Sequence, residues 1–176
     1  MKLHVSQLKI QQKFLESKIA HFKSPIGIVK IMGSENGIQS ITILDDSSTF
    51  ATKLNNIPEC LVECIKQLDE YFQGNRTSFD LKLNPEGTSF QQKVWKELLQ
   101  IPFGKTRTYL DQAKKIGNVK AIRAVANANG KNPICIVIPC HRIIGSDGSL
   151  TGYAGGLKRK QWLLNHESPN KQQSLF

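Results

Sequence analysis

A thiol, an imidazole and a guanidinium stand side by side at Cys140-His141-Arg142, directly after Pro139. Basic neighbours favour the thiolate, the nucleophilic form of cysteine. The preceding run, Ile134-Cys135-Ile136-Val137-Ile138, is apolar and β-branched and reads as a fully buried strand that Pro139 ends. Cys140 then leaves the core at a strand end, while Cys135 is expected to be structural within the strand. Neighbours in an extended chain point to opposite faces, so a water is expected to carry the proton from Cys140 to His141. Glu167, in Leu163-Leu164-Asn165-His166-Glu167, is the candidate third member that orients the imidazole.

These residues need a scaffold, and the pattern supplies two units. Gly27–Ser34 and Gly37–Leu44 read as strands joined by Ser34-Glu35-Asn36-Gly37, in which Asn-Gly is a strong hairpin signal. Ile57–Gln73 reads as an amphipathic helix with Leu61, Ile65, Leu68 and Phe72 on its apolar stripe, and Phe79–Leu83 as a returning strand. The Pro/Gly stretch Leu83–Thr88 marks a boundary. Beyond it, Thr88 or Ser89 caps a helix running to Gln100, with Phe90, Val94, Trp95, Leu98 and Leu99 on its apolar side. Thr108–Ile116 and Val119–Asn129 read as two short helices around Gly117-Asn118, a helix-turn-helix pattern. The fold class is therefore α+β: a small N-terminal β-hairpin/helix domain at 1–86, then a mainly helical domain at 87–176 containing the helix-turn-helix.

The charge supports the same division. Residues 1–87 hold ten Lys+Arg and ten Asp+Glu, whereas 88–176 hold fourteen and four, so the whole net charge of +10 lies in the second part. A basic helix-turn-helix half suits a polyanion such as DNA. No apolar run reaches the ~18–20 residues of a membrane span. The N-terminus carries no uninterrupted apolar stretch of the secretory kind, and four cysteines are too few for a disulfide scaffold, so a cytoplasmic protein with free thiols is expected. Cys60 and Cys64 share a helix face, with only His4 and His21 nearby and no ligand-like spacing, so core packing is expected rather than a metal.

Pro139-Cys140-His141-Arg142-Ile143-Ile144 resembles the active-site motif of the O6-alkylguanine-DNA alkyltransferases, also known as methylated-DNA-protein-cysteine methyltransferases. Ile101–Tyr109 (IPFGKTRTY), Gly117-Asn118, Arg123-Ala124-Val125, Asn132-Pro133, Gly152-Tyr153-Ala154-Gly155-Gly156-Leu157 and Leu163–Glu167 resemble further blocks of that family in order and spacing. The resemblance is strong over about 87–167. It is loose over the N-terminal half, for which it implies a ribonuclease-H-like domain.

The resemblance implies transfer of a methyl or other alkyl group from O6 of guanine, and from O4 of thymine, in duplex DNA to Cys140, once per molecule. Cys140, His141, Glu167, Tyr109 and Asn132 are the implied catalytic set, with Tyr109 donating to the departing guanine and Asn132 bracing the nucleophile's turn. Arg123, Tyr109, Asn118 and Ser146 are the implied DNA contacts, with the helix-turn-helix in the minor groove of the duplex and Arg123 replacing the extruded base in the stack. Pro139, Ile143, Tyr153, Ala154 and Gly155 are the implied pocket. No cofactor, metal or membrane is implied, and a monomer is expected. Leu110 stands where many relatives carry Gly or Gln, and Ala154 where some carry Ser.

Three other functions share parts of this pattern. A Cys-His hydrolase would release its intermediate to water and turn over. A DNA-binding regulator would not need Cys140. A cofactor-dependent methyltransferase would need a Gly-rich nucleotide loop, and the chain has no Gly-x-Gly triplet.

Overall fold

Aliphatic residues and two tight turns fold the first part of the chain into an antiparallel meander. In the computed structural model, which describes residues 17–45 and 56–168, strands β1 (Lys18–Ser24), β2 (Gly27–Ser34) and β3 (Gly37–Leu44) pair in chain order. His4 lies outside the described residues. β2 and β3 occupy the spans expected from sequence. β1 is an addition to them: Ala20 is its one buried residue, so its hydrophobic pattern is faint.

The hairpin turns through Glu35-Asn36, between Ser34 and Gly37, as expected. Gly37 opens β3 with φ +122°, and a Cβ there would stand 2.5 Å from the Lys82 carbonyl oxygen, so both backbone conformation and close approach call for glycine. That approach is where the expected strand 79–83 reduces to a single bridge, with Ile38 N–H donating to Lys82 O at 2.8 Å.

Helix α1 (Glu59–Phe72) lays Leu61, Cys64, Ile65 and Leu68 into the core. Tyr71, not Phe72, completes the buried stripe, and Phe72 is half-buried. Cys64 faces inward, where burial pushes its thiol up to about 12, and Cys60 is half-buried.

Helix α2 (Ser89–Leu98) begins with a reciprocal cap: Gln91 N–H donates to Thr88 Oγ1, and Thr88 N–H to Gln91 Oε1. Val94, Trp95 and Leu98 are buried. Phe90 and Leu99, expected beside them, are 37% and 45% exposed because they lie at the helix ends, beyond the neighbours that cover its middle.

Strand β4 (Arg107–Thr108) leads into α3 (Tyr109–Ile116), capped by the Thr108 hydroxyl. α3 closes on Gly117 at φ +89°, the left-handed stop that glycine adopts without strain. The second helix is divided. The Asn118 side chain accepts from Lys120 N–H, which starts a 3-10 turn at Val119–Ala121 before α4 (Ile122–Gly130). Trp95 Nε1–H donates to Ala128 O at 2.9 Å, and the buried Gln112 and Asn129 side chains bond each other, so α2, α3 and α4 are locked by satisfied polar contacts. Strand β5 (Ile143–Ile144) pairs in parallel with β4, and α5 (Leu157–Glu167) follows. A hydrophobic core cluster includes buried residues from both halves of the chain.

The run Ile134–Ile138 is not the expected strand. It forms one bridge, Ile134 to Ile41 of β3, and then coils into turns. Val137 N–H bonds Cys135 O at 2.8 Å across Ile136, which has φ +71°, and Ile138 N–H bonds Ile134 O at 3.0 Å. A β-branched residue at positive φ is a backbone outlier that surroundings must enforce. Here Asn132 supplies what a neighbouring strand would: Oδ1 accepts from Ile134 N–H and Nδ2 donates to Ile138 O at 2.7 Å. Apolar, β-branched composition specifies burial, and tertiary bonding chooses the turn.

Candidate active site

The turn places Cys140 at the start of a short 3-10 segment, Cys140–Arg142, 8% exposed. Pro133 O and Cys135 N–H bond Ile41 on the edge of β3, so the N-terminal sheet anchors the segment carrying the thiol. Asn132 Nδ2 donates to Cys140 Sγ at 3.1 Å and also to Ile138 O, so one amide braces the turn and favours negative charge on sulfur.

Glu167 collects five hydrogen bonds. Its Oε1 accepts from His141 Nε2 at 2.8 Å, Tyr71 Oη at 2.7 Å and Arg142 Nη2 at 3.0 Å. Its Oε2 accepts from Arg142 Nε at 2.7 Å and Gly104 N–H at 3.3 Å. Burial alone would raise this carboxyl, but hydrogen bonds and charge from His141 and Arg142 outweigh it and hold Glu167 well below the usual carboxylate range. An ionised acceptor requires the proton of neutral His141 on Nε2. Nδ1, buried and without a hydrogen-bond partner among the described residues, is left as the free base. Burial lowers the imidazole's pKa, opposed by Glu167, and raises the Cys140 thiol, opposed by Asn132 and the charge of Lys160. The resting pair is therefore neutral thiol and neutral imidazole.

Cys140 opens on a cavity of about 230 Å³ between β3 and the 153–155 loop. Tyr153, Ala154 and Gly155 line it, as expected, joined by Ile43, Asn129 and Cys135. The Tyr153 hydroxyl is buried and has no hydrogen-bond partner among the described residues. Two expected pocket residues are not brought here: Ile143 is fully buried, and Pro139 lines a separate groove with Phe103 and Arg142. Cys135, expected inside a strand, instead shares the thiol's cavity, where burial raises its own pKa far above the ordinary thiol range.

Tyr109, half-buried at the head of α3, donates to Thr151 O at 3.2 Å or Gly152 O at 3.3 Å. Burial raises its hydroxyl, so it stays protonated and able to donate. Arg123 is exposed on α4, and its side chain makes no hydrogen bond or ion pair with the described residues. Asn118 is exposed, its carbonyl spent as a cap, and Ser146 lies on an exposed loop.

Sequence reasoning missed three supporting residues, Tyr71, Lys160 and Arg159, and gave a fourth another role: the Arg142 guanidinium, expected to favour the Cys140 thiolate, is held by Glu167. Tyr71 reaches the site from 96 residues away, and Arg142, though inside the motif, also donates to Ile101 O at 2.6 Å. Lys160 is fully buried and donates to Thr151 O at 2.6 Å. Arg159 bonds Gly155 O, Ile26 O, Leu44 O and Asp45, tying the pocket loop to the sheet. For Arg142 and Lys160 the available signal was a charged residue at a position facing the core.

A helix-turn-helix beside a buried thiol, imidazole and carboxylate defines a DNA-directed group-transfer protein. Two family models match the chain: 6-O-methylguanine DNA methyltransferase, ribonuclease-like domain, over residues 18–85, and the DNA binding domain of the same proteins over 89–169. A methylated-DNA-protein-cysteine methyltransferase of Methanosarcina barkeri is 49% identical over 150 residues, 84% of this chain and 95% of that protein. The crystal structure of Mycobacterium tuberculosis O6-methylguanine methyltransferase superposes with TM-score 0.76 at 41% identity, covering 86% of this chain and 92% of that one. The M. tuberculosis protein in complex with DNA matches with TM-score 0.76 at 43% identity, over 85% and 91% of the two chains. The chain belongs to the 6-O-methylguanine DNA methyltransferase family, and its activity is DNA repair by alkyl transfer.

Proposed function

We propose that Cys140 is the alkyl acceptor and that each molecule reacts once. The observation that carries this is the thiol held by Asn132 at 3.1 Å, facing a cavity and backed by a His141–Glu167 pair whose free base is Nδ1. Duplex DNA lies on the basic helix-turn-helix, Arg123 fills the gap left by the flipped guanine, and the base enters beside Tyr153–Gly155. Extruding a base costs a few kcal/mol, and a side chain cannot reach O6 in the stack otherwise. A water relays the Cys140 proton to His141 Nδ1, and the thiolate attacks the alkyl carbon. The carbon–oxygen bond breaks with its electron pair on O6, and Tyr109 donates to the guanine as negative charge develops. O4-alkylthymine presents the same alkyl–oxygen bond.

The product is a thioether, from which water has no leaving group to displace. Among the described residues no second group is placed to remove the alkyl group, so the protein is consumed. The protein acts as a monomer in the cytoplasm, where its four free cysteines stay reduced.

Incubation with one equivalent of O6-methylguanine duplex should add the mass of a single methylene, mapped to Cys140 and absent from Cys60, Cys64 and Cys135. Sustained turnover beyond one lesion per protein would refute the proposal.

The alkylated protein should also be less stable. A methyl on Sγ enlarges a buried side chain and weakens the Asn132 bond that braces the turn. Overpacking costs about 1–3 kcal/mol, which lowers melting by roughly 2–12 °C at this chain length. Thermal unfolding of methylated and unmodified protein in matched buffer checks this, and an equal or higher midpoint contradicts it.

A further inference from the structure

Seven large hydrophobic side chains are exposed among the described residues, and two of them, Val119 at 51% and Ile122 at 36%, stand three residues apart at the entry to the second helix of the helix-turn-helix. The backbone between them is a 3-10 turn, in which side chains three apart eclipse. Val119 and Ile122 therefore line up as one apolar ridge. Lys120 and Arg123 are offset from them by one residue and form a parallel cationic ridge. Neither cation has a hydrogen bond or ion pair with the described residues. The rise of about 2 Å per residue in a 3-10 turn makes each ridge about 6 Å long, close to two base steps.

A single exposed aliphatic residue needs no explanation. Two aligned β-branched ones beside two unpaired cations present an apolar edge and a phosphate-complementary edge side by side. Among the described residues their packing does not require them there: Ala121, in the same 3-10 turn, supplies the contact to the core cluster, while Val119 and Ile122 do not join it.

We propose that Val119 and Ile122 form an apolar wedge that presses on the minor-groove side of the lesion's base step and unstacks it. Lys120 neutralises a flanking phosphate, and Arg123 enters the gap that the wedge opens. Ile122 directly precedes Arg123, so the two act at adjacent levels of the stack. Apolar wedges at base steps are a recurrent way for minor-groove proteins to distort a duplex. This rests on the docking of the helix-turn-helix on duplex DNA given under Proposed function, and it assigns base extrusion to a surface rather than to Arg123 alone.

The test uses full-length protein and a duplex with 2-aminopurine placed 3′ to O6-methylguanine, whose fluorescence rises on unstacking. Binding is followed by anisotropy at low salt and transfer by intact mass. The V119A/I122A double variant should bind but lose most of the fluorescence rise. Its transfer from the paired duplex should slow at least tenfold more than from the same lesion opposite an abasic gap, where stacking is already broken. Equal slowing on both substrates, an undiminished rise, or no rise with the unsubstituted protein overturns the wedge. If the unsubstituted protein unstacks the reporter but no methyl reaches Cys140, the alkyl-acceptor assignment fails while the wedge stands.

Discussion

Glu167→Gln should slow alkyl transfer by on the order of 10³–10⁴ and lower the melting temperature by roughly 6–20 °C. Five donors converge on this carboxylate, three on Oε1 and two on Oε2. An amide offers one oxygen and one NH₂, so one side must set donor against donor. If the NH₂ faces Arg142, a buried guanidinium loses its counter-charge. Breaking a buried pair this way typically costs about 3–5 kcal/mol, and a domain of this size loses about 2–4 °C per kcal/mol. If the NH₂ faces His141 instead, the imidazole can meet it only with Nε2 bare, which moves the proton to Nδ1. The base that should accept the Cys140 proton is then blocked. Replacing the carboxylate of a nucleophile–histidine–carboxylate array by its amide costs about 10⁴ in rate for this tautomer reason.

Tyr71→Phe provides the graded comparison: four donors remain, the tautomer is preserved, and the loss should be far smaller on both readouts. Single-turnover rates and melting curves for both variants check the order. A Glu167→Gln rate within tenfold of the unsubstituted protein contradicts the assignment.

The same groups fix the acid response. Glu167 is depressed in the fold, so its stabilisation is present above the unfolded value near 4.5 and lost as pH falls through the folded pKa. His141 is also depressed, so the fold resists protonating it and stability declines as pH drops below about 6.5. Glu167→Gln should therefore show a flatter stability profile below pH 4.5 than the unsubstituted protein. Proton relay to His141 requires the neutral ring, so transfer should fade on the acid side as well.

The reach of the sequence follows from where each signal is stored. β2, β3, α1 and the helix-turn-helix were legible because periodicity, caps and Gly117 are local properties. Cys140, His141 and Glu167 were legible as residue types, and the structure brings His141 and Glu167 to 2.8 Å. The Ile134–Ile138 turn was not, because its bonds come from Asn132 and from Ile41, a residue 93 positions before Ile134. A buried apolar run has the same composition whether its backbone is satisfied by a neighbouring strand or by a side-chain amide. Tyr71 was hidden for a related reason: an aromatic at core spacing announces packing, and nothing local shows that its hydroxyl will meet a carboxylate in the other half of the chain. The even charge of the first half concealed its part in the chemistry, which is to hold the thiol's turn on β3 and donate to Glu167.

Cys140→Ser should abolish transfer while leaving the protein folded and bound to DNA. The exchange keeps a hydroxyl-sized acceptor for Asn132 Nδ2, so the brace on the turn survives. What changes is the acidity of the nucleophile. Burial already raises the Cys140 thiol, and neutral His141 is a base weakened by the same burial. Each unit by which a nucleophile's pKa rises adds about 1.4 kcal/mol to the proton transfer that must precede attack. A serine hydroxyl lies several units above any thiol, which places its alkoxide beyond reach of this imidazole. Oxygen is also the harder, less polarizable atom and gains less from an alkyl carbon. Intact mass after prolonged incubation should show no added methyl, and anisotropy should show duplex affinity within a few-fold of the unsubstituted protein. Cys135 makes this a demanding test, because it lines the same cavity and remains a thiol in the variant. Burial raises its pKa far above the ordinary thiol range, and no base stands behind it among the described residues, so it should stay unmodified. A methyl on Cys135 in the serine variant would show that entry to the cavity, rather than the Asn132–His141–Glu167 array, decides which sulfur reacts.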